Sequence, residues 1–249
     1  MPIVSFEGVS KYFQRHGGQM LLRERIRHFF NRQARERFWA LRDVSFAIEP
    51  GESLAVIGQN GAGKSTLLNI ATQLCFPSQG VARIDGRVAG LLELGAGFHP
   101  YLTGRENVRI NCALLGLTRR QANQRFAEIV EFSGIGDFID EPLRTYSTGM
   151  SMRLAFAVAV NVDPDILIVD EVLGVGDEVF FSKCFERIKQ FRRAGKTLLC
   201  ASHDLDSLAV LCDRALWLDR GCVARIGPLS QVVEAYREFS SAQAPAGAP

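Results

Sequence analysis

Three short runs near the amino terminus, Ile3 to Phe6, Val44 to Ile48 and Ser53 to Ile57, alternate apolar with small or polar residues and predict strands. The third runs directly into a glycine-rich stretch, after which Ser65 to Leu74 takes helical spacing, so strand, loop and helix follow one another. Two later runs, Asp165 to Asp170 (D-I-L-I-V-D) and Thr197 to Ser202 (T-L-L-C-A-S), are continuously apolar between their ends. Strands covered on both faces by helices have that pattern, and the prediction is a parallel α/β core. From about Arg105 to Asn161 the periodicity turns helical, with Arg119 to Phe132 spaced as an amphipathic helix. This predicts a helical lobe inserted into the core. Leu229 to Phe239 is again helix-like.

Two segments stand apart. Gly17 to Trp39 interrupts the amino-terminal β-region and holds Arg23, Arg25, Arg27, Arg32, Arg35 and Arg37 against Glu24 and Glu36. Leu22, Ile26, Phe29 and Phe30 share one helical face there, so a basic amphipathic helix is expected. It either packs on the protein's own surface or, over residues 19 to 37, lies on anionic lipid, where each charge contributes about 1 kcal/mol. The tail Ser240 to Pro249 (S-S-A-Q-A-P-A-G-A-P) is expected to lack structure. The predicted organisation is one domain over 1–239, with the insertion at about 17–39, the helical lobe at about 95–160, and the tail at 240–249.

Composition narrows the class. The 249 residues are 47% hydrophobic and 22% charged, as in an ordinary globular protein. A net charge of +2 is too small for wholesale nucleic-acid binding, and no nucleic-acid partner is expected. The six cysteines form no C-x-x-C pair and are expected to be buried or reduced thiols. The first residues lack the pattern of a secretory signal, and no apolar run approaches the ~18 residues that cross a bilayer. A cytosolic chain follows, at most peripheral to a membrane.

Gly58 to Ser65 reads G-Q-N-G-A-G-K-S and fits the phosphate-binding pattern G-x-x-x-x-G-K-S/T, with a strand before it and a helix after it. Backbone N–H groups converge on phosphate oxygens in such a loop, Lys64 reaches the β- and γ-phosphates, and the Ser65 hydroxyl ligates Mg²⁺. The expected nucleotide-binding set is Gly58, Gln59, Asn60, Gly61, Ala62, Gly63, Lys64, Ser65 and Thr66. Asp170 closes a buried strand at the crevice where α/β ligands bind, which suits it to hold Mg²⁺. Glu171 follows and is placed to polarise the attacking water. His203, at the end of a third apolar run, is expected in the same crevice as a γ-phosphate sensor.

Tyr146 to Met150 (Y-S-T-G-M), followed by S-M-R-L-A-F-A-V-A-V, resembles the signature motif of ATP-binding cassette (ABC) proteins, usually written LSGGQ. The resemblance extends over most of the chain and implies an α/β P-loop NTPase fold of the ABC ATPase type, with a parallel-sheet core, an amino-terminal antiparallel β-region and the helical lobe. It implies ATP and Mg²⁺ as cofactors, and a homodimer in which Ser147 and Gly149 contact the γ-phosphate of the other subunit's ATP. Asp177, in G-V-G-D, resembles the D-loop residue that bridges the two sites. Tyr12, in V-S-K-Y-F, stands where the family places an aromatic residue against adenine, with Phe38 or Trp39 as the alternatives after the insertion.

The Q-loop glutamine of the family is missing from Gly90 to Gly104, where Glu93 is the nearest polar residue. L-L-E-L-G-A-G-F-H-P-Y-L-T-G-R-E-N-V, Y-S-T-G-M-S-M-R-L-A-F-A and D-E-V-L-G-V-G-D, with the early arginine-rich insertion, look like the ATPase subunits of bacterial polysaccharide exporters. That likeness implies two copies of a transmembrane permease as partners, a lipid-linked glycan as the transported substrate, and a peripheral seat on the cytoplasmic face of the inner membrane. Two other classes compete: a soluble ABC ATPase acting on ribosomes or DNA, and a nucleotide-dependent scaffold without turnover. The first usually carries tandem cassettes or long coiled coils, and the second has no use for a general base such as Glu171.

Overall fold

A computed structural model of the chain describes residues 1–14, 37–92, 95, 97–170 and 177–243. The arginine-rich insertion up to residue 36, Glu93, Glu171 and residues 244–249 lie outside the described residues. Two sheets build the fold. Strands β1 (Val4–Gln14), β2 (Arg37–Ile48) and β4 (Gln79–Ile84) form an antiparallel sheet in the order β2-β1-β4. The second sheet runs β5-β6-β7-β3-β8-β9, from β3 (Ser53–Ile57), β5 (Val88–Gly90), β6 (Ile166–Val169), β7 (Thr197–Ala201), β8 (Arg214–Asp219) and β9 (Cys222–Pro228). Its first five strands are parallel, and β9 pairs antiparallel at the edge.

Every residue of β3, β6 and β7 is buried, which explains why these strands read as continuous apolar runs. Alternate residues serve different cores. Leu54, Val56, Ile166, Ile168, Leu199 and Ala201 face α1 (Lys64–Ala71) and the antiparallel sheet. Ala55, Ile57, Leu167, Val169, Leu198 and Cys200 face the opposite core, which continues into the helical region.

That region holds α2 (Gly104–Leu114), α3 (Arg119–Ser133) and α4 (Thr148–Asn161). Thr103 and Glu106 cap α2 reciprocally, and Thr118 and Gln121 do the same for α3. Beyond it come α5 (Glu178–Arg193), α6 (Leu205–Leu211) and α7 (Leu229–Gln243). Two boundaries differ from the sequence reading. Helix α1 stops at Ala71 instead of Leu74, because Gln73 turns left-handed at φ 61°. Helix α7 runs to Gln243, so Ser240–Gln243 is helical rather than structureless.

Gly221, in the turn between β8 and β9, ties the two sheets to the phosphate-binding loop. Its N–H donates to the Ala62 carbonyl at 2.9 Å, and its carbonyl accepts the Arg42 N–H at 2.8 Å. The residue sits at φ 82°, and a Cβ there would lie 2.7 Å from the Ala40 carbonyl oxygen. Gly221→Ala is expected to cost about 1–3 kcal/mol through strain and that clash. The melting temperature should fall by roughly 2–10 °C. An unchanged melting curve would contradict the clamp.

Candidate functional site

Parallel pairing puts the carboxyl ends of β6, β7 and β3 along one edge of the sheet, with β7 between the other two. The phosphate-binding loop leaves β3, Asp170 follows β6, and His203 follows β7 by two residues. Loop and carboxylate meet in a cavity of about 340 Å³ lined by Phe38, Ala40, Asn60, Gly61, Gly63, Lys64, Ser65, Thr66 and Asp170.

The loop's own geometry makes this cavity a receptor for anions. Gly63 occupies the N-cap of α1 at φ 107°, where a Cβ would lie 2.5 Å from the Ala40 carbonyl oxygen. Because glycine has no side chain to cap the helix, the N-cap of α1 makes no side-chain hydrogen bond, and Gly63, Lys64, Ser65 and Thr66 at the helix start line the cavity. A helix N-terminus with free amides and a positive dipole end attracts phosphate. Lys64 is buried, and a buried ammonium must find acceptors. Its Nζ donates to the carbonyls of Gly58 at 2.7 Å and Gln59 at 3.2 Å. Gly58, Gln59 and Ala62 therefore serve the loop through their backbones, while Asn60, Gly61, Gly63, Lys64, Ser65 and Thr66 form the wall.

The Ser65 hydroxyl and the Asp170 carboxylate border the same space. One carboxylate and one hydroxyl beside a phosphate cradle suit Mg²⁺, which keeps few protein ligands and takes the rest from water and phosphate. Among the described residues no cluster of three or more His, Cys, Asp or Glu side chains forms a metal cage of another kind.

Tyr12 stands apart from the cavity wall. On the antiparallel β1–β2 pair Tyr12 lies opposite Trp39, and Phe13 lies opposite Phe38. Cross-strand partners share a face, and successive residues alternate faces. The Tyr12 and Trp39 rings meet edge to face at 5.2 Å, and the Arg37 guanidinium covers Tyr12 at 4.7 Å. Phe38 and Ala40 take the other face and line the cavity. Among the described residues the aromatic side chain on the cavity wall is Phe38, an alternative the sequence had left open, and Tyr12 and Trp39 lie on the other face of the strand pair.

The remaining expected residues are elsewhere. His203 is exposed at the end of β7 and is not part of the cavity wall. Ser147 caps α4, its Oγ accepting the Met150 N–H at 3.2 Å, and neither it nor Gly149 lines the cavity of its own chain. Asp177 caps α5, its Oδ1 accepting the Phe180 N–H at 2.8 Å. Glu171 and Glu93 are outside the described residues. Four of the six cysteines are buried, whereas Cys75 is half-buried and Cys222 exposed. A hydrogen bond with Cys212, together with burial, holds the Cys200 thiol well above its usual range, so it stays protonated inside the core.

The sequence profile described as ABC transporter matches residues 41–174, more than half of the chain. The chain belongs to the ABC transporter family. An O-antigen export system ATP-binding protein of Klebsiella pneumoniae is 43% identical over 95% of this chain and 98% of that protein. Another of the same description from Myxococcus xanthus is 51% identical over 81% of this chain, which spans only 46% of that relative. A teichoic acids export ATP-binding protein of Listeria monocytogenes is 40% identical over 95% of this chain and 70% of that protein. Among solved structures, a dimeric cassette bound to ADP and Pi superposes with a TM-score of 0.72 at 22% identity, covering 91% of this chain and 98% of the other. That likeness supports the cassette fold. The ABC chain described here is an ATPase, and its phosphate-binding loop and Asp170 share one cavity.

Stacking of a base on an aromatic ring contributes about 1–3 kcal/mol. Phe38→Ala is therefore expected to weaken Mg-ATP binding roughly 5- to 150-fold, whereas Tyr12→Ala should leave it within about twofold. Calorimetric titration of both variants checks this, and the opposite ranking would return the base to Tyr12.

Proposed function

We propose that this chain is the motor subunit of a transporter that exports a lipid-linked polysaccharide. The relatives named for O-antigen and teichoic-acid export, 40–51% identical over most of the chain, support that class of cargo. In this reading two copies associate head to tail, beneath two copies of a transmembrane permease on the cytoplasmic face of the membrane. Among the described residues no helix is long and apolar enough to cross a membrane, so the permease supplies the path. The observation that carries the reading is the shared cavity: phosphate loop, Ser65, Asp170 and an aromatic wall within one space, in a chain whose relatives are named as export ATPases.

Each residue's work follows from its chemistry. The Lys64 ammonium exchanges its two loop carbonyls for β- and γ-phosphate oxygens. Ser65 and Asp170 hold Mg²⁺, which when bound neutralises charge on the phosphates. Glu171 accepts the proton of the attacking water, and His203 reads the γ-phosphate from the strand between Asp170 and the loop. Ser147 and Gly149, at the start of α4, meet the γ-phosphate held by the partner subunit's loop. A helix start with a hydroxyl and free amides suits that anion.

Glu171→Gln is expected to retain ATP binding, to lower turnover by roughly 10² to 10⁴, and to accumulate an ATP-bound dimer on size exclusion. Turnover at the wild-type rate would remove Glu171 from the role of base. In cells depleted of the chain, surface polysaccharide should fall while lipid-linked precursor accumulates inside. Normal surface polysaccharide would instead favour a soluble partner such as the ribosome.

A further inference from the structure

Helix α4, T-G-M-S-M-R-L-A-F-A-V-A-V-N, carries a single charged residue, Arg153, two-fifths of the way along an otherwise apolar or neutral helix. A lone charge on such a helix calls for a specific partner. The guanidinium Nη2 is ion-paired in close contact with Oδ2 of Asp177, and its centre lies 5.3 Å from the Phe180 ring centroid. The other oxygen of the same carboxylate, Oδ1, accepts the Phe180 N–H at 2.8 Å and caps α5. Arg153, Asp177 and Phe180 thus close a triangle between the two helices. Phe180 is buried and meets Phe156 of α4 at 6.0 Å and Phe132 of α3 at 5.9 Å, so the triangle is anchored in the core.

Energetics say what the pair is for. Its side chains are 29% and 55% exposed, and exposed ion pairs typically contribute 0–1 kcal/mol to stability. Its larger effect is geometric. A bridge from α4 to the capping residue of α5 sets the position of one helix start relative to the other. Those two starts carry Ser147 and Asp177, the residues assigned above to the partner subunit's nucleotide and to the junction between sites.

We propose that Arg153 is a positioning residue for ATP hydrolysis, holding the helix starts that carry Ser147 and Asp177 at a fixed separation so that both engage the second subunit together. The inference rests on the shared-site reading of the dimer. It assigns to Arg153 no contact with ATP; its effect passes through Asp177.

Asparagine caps a helix as well as aspartate does, so Asp177→Asn keeps the cap on α5 while removing the carboxylate, and Arg153→Ala, which leaves Asp177 in place at the junction between sites, removes the ion pair alone. The experiment measures kcat, KM for ATP, the Hill coefficient for ATP and the melting temperature of the purified full chain. The variants are Arg153→Ala, Arg153→Lys, Asp177→Asn and the Arg153→Ala/Asp177→Asn double. Arg153→Ala and Asp177→Asn are each expected to lower kcat about tenfold and to bring the Hill coefficient toward one. KM should stay within about twofold and the melting temperature within about 2 °C. The double variant should be no slower than either single, and Arg153→Lys should recover most of the rate. Full turnover in Arg153→Ala, losses that multiply in the double variant, or a rate loss that tracks a falling melting temperature would each overturn the proposal. A wild-type chain that binds ATP without hydrolysing it, or whose ATP dependence has a Hill coefficient of one, would instead overturn the shared-site reading on which the proposal stands.

Discussion

A loop that cradles phosphate has to turn its backbone N–H groups inward, and the conformation that does so leaves carbonyls pointing back toward the protein. The cassette depends on how those carbonyls are answered. The Ala62 carbonyl receives the Gly221 N–H, and the carbonyls of Gly58 and Gln59 receive the Lys64 ammonium. The first of these bonds ties the loop to the β8–β9 turn, which in turn holds β2 through Arg42. The second keeps a buried positive charge on the wall of the cavity. Anion affinity and loop rigidity therefore share one set of hydrogen bonds, and the cavity exists because both sheets close on the loop from behind.

Strand order does the rest. With β7 between β6 and β3, the carboxyl ends of three parallel strands deliver His203, Asp170 and the loop to one edge from widely separated parts of the chain. A parallel sheet buried on both faces admits little displacement of those ends, since Ile166–Val169 and Thr197–Ala201 each fill two cores in alternation. The antiparallel sheet differs in that it contributes Phe38 and Ala40 to the cavity wall through a strand pair interrupted by three register shifts.

That difference explains what the sequence made legible. The phosphate loop, Asp170 and the buried strands are encoded by contiguous residues, and in the structure the loop and Asp170 border one cavity. The helical lobe declares itself through periodicity and two capping boxes. The facing of Tyr12 was not legible because it depends on the register of β1 with β2, across a long insertion and past several bulges that no local pattern records. Phe38 had a signal, its spacing of two from Ala40 on β2, but only the strand pairing gives that spacing a direction. Arg153 carried no sequence signal toward Asp177, which lies 24 residues away. The two helices meet through the packing of Phe132, Phe156 and Phe180, which no local motif records.

The central claim is that each hydrolytic site is built from two chains, the loop of one and the α4 start of the other. Mixing two inactive variants tests it most directly. A Lys64→Ala chain keeps its α4 start, and a Ser147→Ala chain keeps its loop, so a heterodimer of the two holds one intact site and one doubly damaged site. ATPase activity should be negligible for either variant alone and should reappear on mixing, approaching half of the wild-type rate per heterodimer if the two sites act independently. Activity that stays absent in mixtures where heterodimers are demonstrably formed would contradict the shared site.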